Sequence, residues 1–136
     1  LDFIAGLFDA YDRGAENVVL VDQQGDIAEG PGFNVFAVKD GRVLTPAEGT
    51  LKGITRRTAL ELCAELAIPA EEGVLSAAAL READEVFLTS TAGGIMPVSR
   101  IDDAPVGPGR PGPVTQRLTD LYWAKHTDPA WTTPVT

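Results

Sequence analysis

The sequence predicts a single α/β domain in which helices alternate with strands. Apolar residues recur at helical spacing in two places: Phe3, Ile4, Leu7, Phe8 and Tyr11, then Ala59, Leu60, Leu62, Cys63 and Leu66. Runs of strand-forming residues bounded by turn signals lie between and after them, at 17–22, 33–39 and 85–90. No repeat or long linker divides the 136 residues, a length that supports one real core.

The elements follow in order. The first helix is already under way at Leu1 and stops near Gly14, just after Arg13. Asn17 to Asp22 reads as a strand, Gln23-Gln24-Gly25-Asp26 as a turn, and Ile27-Ala28-Glu29 as a short returning strand. After the break at Gly30-Pro31-Gly32, Phe33 to Lys39 is a strand. Asp40-Gly41 is a hairpin turn leading into Arg42-Val43-Leu44. The first part of the domain is therefore a helix followed by a β-meander. Gly53-Ile54-Thr55 opens a second helix that runs to about Ala67, and Ser76 N-caps a short helix through Ala83. Glu85 to Ser90 is a strand ending at the Thr91-Ala92-Gly93-Gly94 turn. Ile95 to Ile101 is a further strand, turned by Asp102-Asp103. Val106 to Pro113 is a Pro- and Gly-rich loop, and Pro113 sits in the first turn of a last helix ending near His126. A tail follows from Thr127 to Thr136.

Composition narrows the function. Hydrophobic residues at 44% and charged residues at 23% are ordinary for a globular protein. A net charge of −9 argues against nucleic acid or an anionic membrane as partner, since phosphates demand a basic face. No apolar run approaches the roughly 20 residues that span a bilayer. Cys63 is the one cysteine and His126 the one histidine, so neither a disulfide within the chain nor a metal site built on them is expected. Cytoplasmic localisation is the expectation that follows. Cys63 lies on the apolar side of its helix and reads as core. His126 suits the negative end of the last helix, and Leu121, Tyr122 and Trp123 read as docking residues of that helix.

Three segments carry chemistry. Glu29 stands at a strand end before Gly30-Pro31-Gly32, where backbone without side chains can approach a flat ring; Phe33 and Asn34 follow. Leu51-Lys52-Gly53-Ile54-Thr55-Arg56 opens a helix, and a helix start offers free N–H groups and a partial positive charge to a phosphate. Thr89-Ser90-Thr91-Ala92-Gly93-Gly94 lies at a strand end with hydroxyls and a glycine turn. Taken singly, each has a plainer reading: a turn glutamate, an N-cap threonine, a turn threonine. Their order is more specific, with 26 residues from Glu29 to Thr55 and 36 from Thr55 to Thr91.

In that order and spacing the segments resemble the pyridoxal-phosphate half-site of the class IV aminotransferases. Similar proteins include the branched-chain aminotransferases, the D-amino-acid aminotransferases and, most closely in Phe33 and the Thr91 to Val98 stretch, the (R)-selective amine transaminases. The resemblance covers nearly the whole chain. It implies a mixed sheet or pseudo-barrel with flanking helices, as in the large C-terminal domain of fold type IV enzymes. It also implies pyridoxal 5′-phosphate as cofactor, an amino donor and an α-keto acid as substrates, and a homodimer. By the resemblance, Glu29 pairs with the pyridinium nitrogen and Phe33 lies beside the ring. Leu51 packs on one ring face, Gly53, Ile54, Thr55 and Thr91 hold the phosphate, and Ser90, which flanks Thr91, belongs to the cofactor-binding residues. Thr91 and Ala92 face the substrate. Arg56 belongs to the family pattern, and Arg57 reads as solvated helix face.

The resemblance also names a residue this chain does not offer. The family's cofactor-holding lysine precedes the first helix, about four or five residues before Leu1. Lys39, Lys52 and Lys125 lie elsewhere in the pattern. The expectation is that residues 1–136 are the C-terminal cofactor-binding domain of a longer transaminase. The alternatives are an aminodeoxychorismate-lyase-like enzyme of the same fold and a non-catalytic ligand-binding module.

Overall fold

A computed structural model describes residues 2–135; Leu1 and Thr136, the outer ends of the expected first helix and tail, lie outside the described residues. Helix α1 (Asp2–Asp12) is followed by an irregular arm, then by β1 (Asn34–Lys39) and β2 (Arg42–Pro46). Helix α2 (Ile54–Glu65), β3 (Ala70–Gly73), α3 (Ala77–Arg81), β4 (Glu85–Ser90) and β5 (Gly94–Val98) come next. The short pair β6 (Arg100–Ile101) and β7 (Ala104–Pro105) precedes α4 (Pro113–Lys125).

Five strands form one mixed sheet in the order β3-β2-β1-β4-β5, antiparallel except for the β2–β3 pair. The sheet is open among the described residues rather than closed into a barrel. Asp40 and Gly41 both take positive φ, 49° and 73°, which is the geometry of a tight hairpin turn joining β1 to β2.

β1 is buried on both faces, so its residues alternate between two cores. Phe36 and Val38 join Val43, Phe87 and Ile95 against Leu62, Cys63 of α2 and Leu118 of α4. The rings of Phe36 and Phe87, partners in register, stack at 4.7 Å. Val35 and Ala37 face the other way, with Val86, against Ile27, Leu75, Leu80 and Val106. Helices α2 and α4 thus cover one face, and α3 with the arm covers the other.

Three strand expectations need correction. The runs 17–22 and 27–29 form no continuous ladder, only an isolated bridge between Val21 and Ile27. Leu20 N–H donates to Glu29 O while Ala28 N–H donates to Leu20 O, so two residues oppose one and the register slips like a bulge. The run 95–101 is broken after Val98, with β6 turning away to pair with β7. β3, with sequence Ala-Glu-Glu-Gly, was not legible. It is an edge strand whose polar side chains carry no period-2 signal, and it is recruited by backbone pairing to β2. The remaining elements stand where the sequence puts them, except that α3 stops at Arg81, two residues before the expected Ala83. Ser76 Oγ accepts from Ala79 N–H at 3.0 Å, the expected N-cap, and α2 ends two residues early, with Ala67 at φ 54° closing it.

Candidate active site

The site forms where three chain ends meet: the start of β1, the end of its neighbour β4, and the start of α2. Antiparallel pairing puts Asn34 at the beginning of β1 opposite Thr89 near the end of β4. Glu29, Phe33, Leu51, Gly53, Ile54, Thr55, Ser90 and Thr91, all singled out by the sequence, line a single cleft of about 140 Å³ there. Ala92 is exposed in the adjoining turn and does not line it.

The Glu29 end is built on a tight turn. Gly30 and Phe33 exchange backbone hydrogen bonds at 3.1 and 3.3 Å around Pro31 and Gly32, and Gly32 has φ 78°. Proline then a left-handed glycine is the type II turn pattern. Gly30 is required for a second reason: a Cβ there would stand 2.0 Å from the Phe33 ring. Phe33 is accordingly folded onto Gly30, 6% exposed, with one side on the cleft.

Glu29 is held from one side. Its Oε2 accepts from the Leu51 N–H at 2.6 Å and from the Thr50 hydroxyl at 3.1 Å. Thr50 in turn accepts from the Asn34 side-chain amide at 2.7 Å, and the same amide donates to Leu51 O at 2.7 Å. Asn34 is 5% exposed and fixes the 50–53 loop, with its Oδ1 so close to Gly53 that a Cβ there would lie 2.5 Å away. Oε1 of Glu29 takes no hydrogen bond from the described residues.

The other end is a helix start without a side-chain cap. Gly53 is the N-cap and has no side chain with which to cap, and the first helical bond runs from Arg57 N–H to Gly53 O. The N–H groups of Ile54 and Thr55 are therefore open to an acceptor, at the positive end of the helix. Leu51 and Ile54 stand beside them at 72% and 77% exposure, apolar side chains left to water at the rim. Ser90 Oγ accepts from Gly93 N–H at 2.9 Å and so shapes the turn that presents Thr91. Behind the helix start, Arg56 is 3% exposed and donates to Pro46 O and the Glu72 carboxylate, tying α2 to the β2–β3 edge.

The arrangement can therefore hold a flat, doubly functional ligand. A carboxylate meets a basic or protonated atom at one end. Backbone donors and hydroxyls meet an anionic group at the other, and apolar side chains flank the middle. Thr50, also part of this geometry, gives no pattern signal in the sequence, whereas Thr89 opens the Thr89–Gly94 segment singled out there, with no role attached to it by the sequence alone.

A second hollow, of about 300 Å³, lies on the other side of Glu29, lined by Asp2 and Phe3 of α1 together with Leu20, Val21, Ala28 and Gly49. None of the three lysines lines either space. Lys39 pairs with Asp84, Lys52 with Glu72, and Lys125 with Glu65. Cys63 is buried in the core, and burial pushes its thiol up to about 11. His126 caps α4, with its Nδ1 3.0 Å from Tyr122 O and its ring stacked on Trp123. Arg57 pairs with Glu61 on the exposed face, as its position suggests. Among the described residues no group of His, Cys, Asp and Glu is placed to hold a metal ion, and no helix is long and apolar enough to cross a membrane.

Residues 1–101 match the family model described as amino-transferase class IV. The chain is 41% identical over 113 residues to a probable branched-chain-amino-acid aminotransferase of Aquifex aeolicus, covering 81% of this chain and 36% of that one. It is 43% identical over 117 residues to the branched-chain-amino-acid aminotransferase of Escherichia coli K12, covering 85% and 38%. Its fold is similar to that of a T.th. branched-chain amino acid aminotransferase solved with pyridoxamine 5′-phosphate. There the TM-score is 0.90 at 34% identity, covering 96% of this chain and 44% of that one. The chain thus spans about two-fifths of the length of these relatives.

Proposed function

From the premise that the chain belongs to the class IV aminotransferase family, we propose that it is the cofactor-binding domain of a pyridoxal-phosphate transaminase. The whole protein would move an amino group between an amino acid and an α-keto acid. The observation that carries this reading is the convergence of Glu29, the uncapped start of α2 and Thr91 on one cleft.

The residues present fit the cofactor. The open N–H groups of Ile54 and Thr55, with the Thr55 and Thr91 hydroxyls, suit a phosphate. Leu51 and Ile54, otherwise exposed, suit the faces of a ring, and Glu29 suits its nitrogen. When bound, the cofactor supplies an electron sink for breaking a bond at the substrate's α carbon. Glu29 holds a proton at the ring nitrogen. Thr50 and the Leu51 N–H fix that carboxylate in place, through the Asn34 amide. The Ser90–Gly93 bond sets the turn from which Thr91 and Ala92 meet the substrate.

The lysine that such an enzyme uses is proposed to lie in the segment preceding Leu1. The hollow that Glu29 shares with Asp2 and Phe3, at the start of α1, supports this. We further propose a homodimer working in the cytoplasm. Branched-chain amino acids are the first substrates to assay, because the similar proteins of Aquifex aeolicus and Escherichia coli are branched-chain-amino-acid aminotransferases, the former a probable one. Phe33 keeps (R)-amines as the second class.

The test is a transamination assay of the full-length protein with leucine, isoleucine, valine and (R)-1-phenylethylamine against 2-oxoglutarate and pyruvate. Keto-acid-dependent transfer from a branched-chain donor supports the reading. Transfer from the (R)-amine alone moves the substrate class. Release of pyruvate from added aminodeoxychorismate, with no keto-acid acceptor present, points to the lyase, and no turnover in a cofactor-loaded protein overturns the reading.

A further inference from the structure

Thr89 is 1% exposed, its hydroxyl is buried, and it has no hydrogen-bond partner among the described residues. Buried hydroxyls are nearly always bonded, because an unmet one forfeits its hydration for nothing. Arg56 Nε and the Thr115 hydroxyl share this condition, but of the three residues only Thr89 lines the cleft. Its position is set by the sheet. Phe36 and Phe87 stack as partners on the face covered by α2, and two residues along the same ladder Asn34 faces Thr89. Thr89 therefore continues that face just beyond the apolar stack, beside the asparagine that braces Gly53 under the start of α2. A valine would fill the same space and suit the core better. A threonine is accounted for when the cleft's occupant presents an acceptor to it.

We propose that Thr89 is a binding residue for the anionic end of the ligand, its buried hydroxyl turning toward the cleft that the residue lines to donate to a phosphoryl oxygen. It completes a site otherwise made of the Ile54 and Thr55 N–H groups and the Thr55 and Thr91 hydroxyls. The inference rests on the reading of the cleft as a pyridoxal-phosphate site and adds a contact from the central sheet to those at the helix start and the turn. It carries a thermodynamic signature of its own. Thr89→Val removes an unmet hydroxyl from the ligand-free protein and a met one from the complex, so the two states shift in opposite directions.

The experiment is a calorimetric titration of the full-length protein, freed of cofactor, with pyridoxamine 5′-phosphate and, separately, with pyridoxamine. Wild type, Thr89→Val and Thr89→Ser are compared, and the melting temperature of each ligand-free form is recorded. Thr89→Val is expected to weaken pyridoxamine 5′-phosphate about tenfold, as for loss of one charge-assisted hydrogen bond. It is expected to leave pyridoxamine unchanged and to melt at or above wild type without ligand. Thr89→Ser is expected to keep wild-type affinity. Equal affinity of Thr89→Val and wild type for the phosphorylated ligand overturns the inference. So does an equal loss for both ligands, which would place the hydroxyl's effect in packing. If Thr89→Val does not fold, loss of the phosphate preference in Thr89→Ser likewise overturns it. A folded wild type that binds neither ligand overturns the cofactor reading itself, and the inference with it.

Discussion

The side-chain amide of Asn34 donates to the hydroxyl of Thr50 at 2.7 Å, and that hydroxyl donates onward to Glu29. A strand residue 5% exposed thereby orients a carboxylate on a different segment through an intermediate loop residue. The relay makes the loop at 50–53 and the arm segment carrying Glu29 one unit. Removing its middle member should loosen the carboxylate without opening the core. Thr50→Val is expected to lower affinity for pyridoxamine 5′-phosphate about tenfold, the scale of one hydrogen bond to a charged group. The melting temperature of the ligand-free protein should change by no more than a few degrees. Titration and thermal unfolding of the same preparation check both parts.

Glu29 itself should matter to chemistry more than to binding. Glu29→Gln keeps the size and one acceptor but loses the charge that holds a proton on the ring nitrogen. Transaminase kcat of the full-length protein is expected to fall by about two orders of magnitude, in the range found for removal of one positioned electrostatic group. The test is steady-state kinetics at saturating cofactor, and an unchanged kcat contradicts the assigned role.

Gly30 is fixed by packing. A methyl group there would lie 2.0 Å from the ring of Phe33, which is 6% exposed and cannot swing freely. Gly30→Ala is expected to destabilise the protein by roughly 1–3 kcal/mol, the usual range for overpacking. Chemical denaturation is the measurement, and Phe33→Leu in the same background should return part of the loss.

Helix α4 is capped from across the fold. Glu85 of β4, 7% exposed, accepts from the N–H groups of Val114 and Thr115 at 3.0 and 2.7 Å. A buried carboxylate at a helix start meets both its open donors and its dipole. Glu85→Ala leaves two buried donors unmet and is expected to cost about 2 kcal/mol or more. Glu85→Gln should cost less, and urea unfolding of the two variants ranks them.

Acid should weaken the tie between α2 and β3. The Arg56 guanidinium, and then Lys52, hold the Glu72 carboxyl below its ordinary value of 4.5. A carboxyl depressed in the folded state contributes stability that is fully present above its unfolded pKa. That contribution is lost as pH falls through the folded one. Denaturation midpoints are therefore expected to drop as pH is lowered from about 4.5, and the drop should be shallower in Glu72→Gln. An identical acid profile for the variant and wild type would remove this pair from the account.

Much of the site could be read in the residues because its parts are local. A carboxylate before Gly-Pro-Gly and a glycine opening a helix are both short-range patterns, as is a threonine closing a strand, and the fold brings all three to one cleft. Glu85 to Ser90 could be read as a strand because its burial and its composition agree. What stayed hidden depends on tertiary partners. β3 exists through backbone pairing with β2 and carries charged side chains, so composition argues against it. The arm at 17–29 has strand-like residues but slips register at Leu20, which no local propensity reveals. Thr50 acquires its part only when Asn34 and Glu29 reach it from two other segments.

The central claim is that one ligand spans the cleft from Glu29 to the start of α2. The most direct measurement is a crystal structure of the full-length protein grown with pyridoxal 5′-phosphate. The ring nitrogen is expected within hydrogen-bond distance of the Glu29 carboxylate, and the phosphate on the N–H groups of Ile54 and Thr55. A phosphate bound elsewhere, or a ring whose nitrogen points away from Glu29, would contradict it.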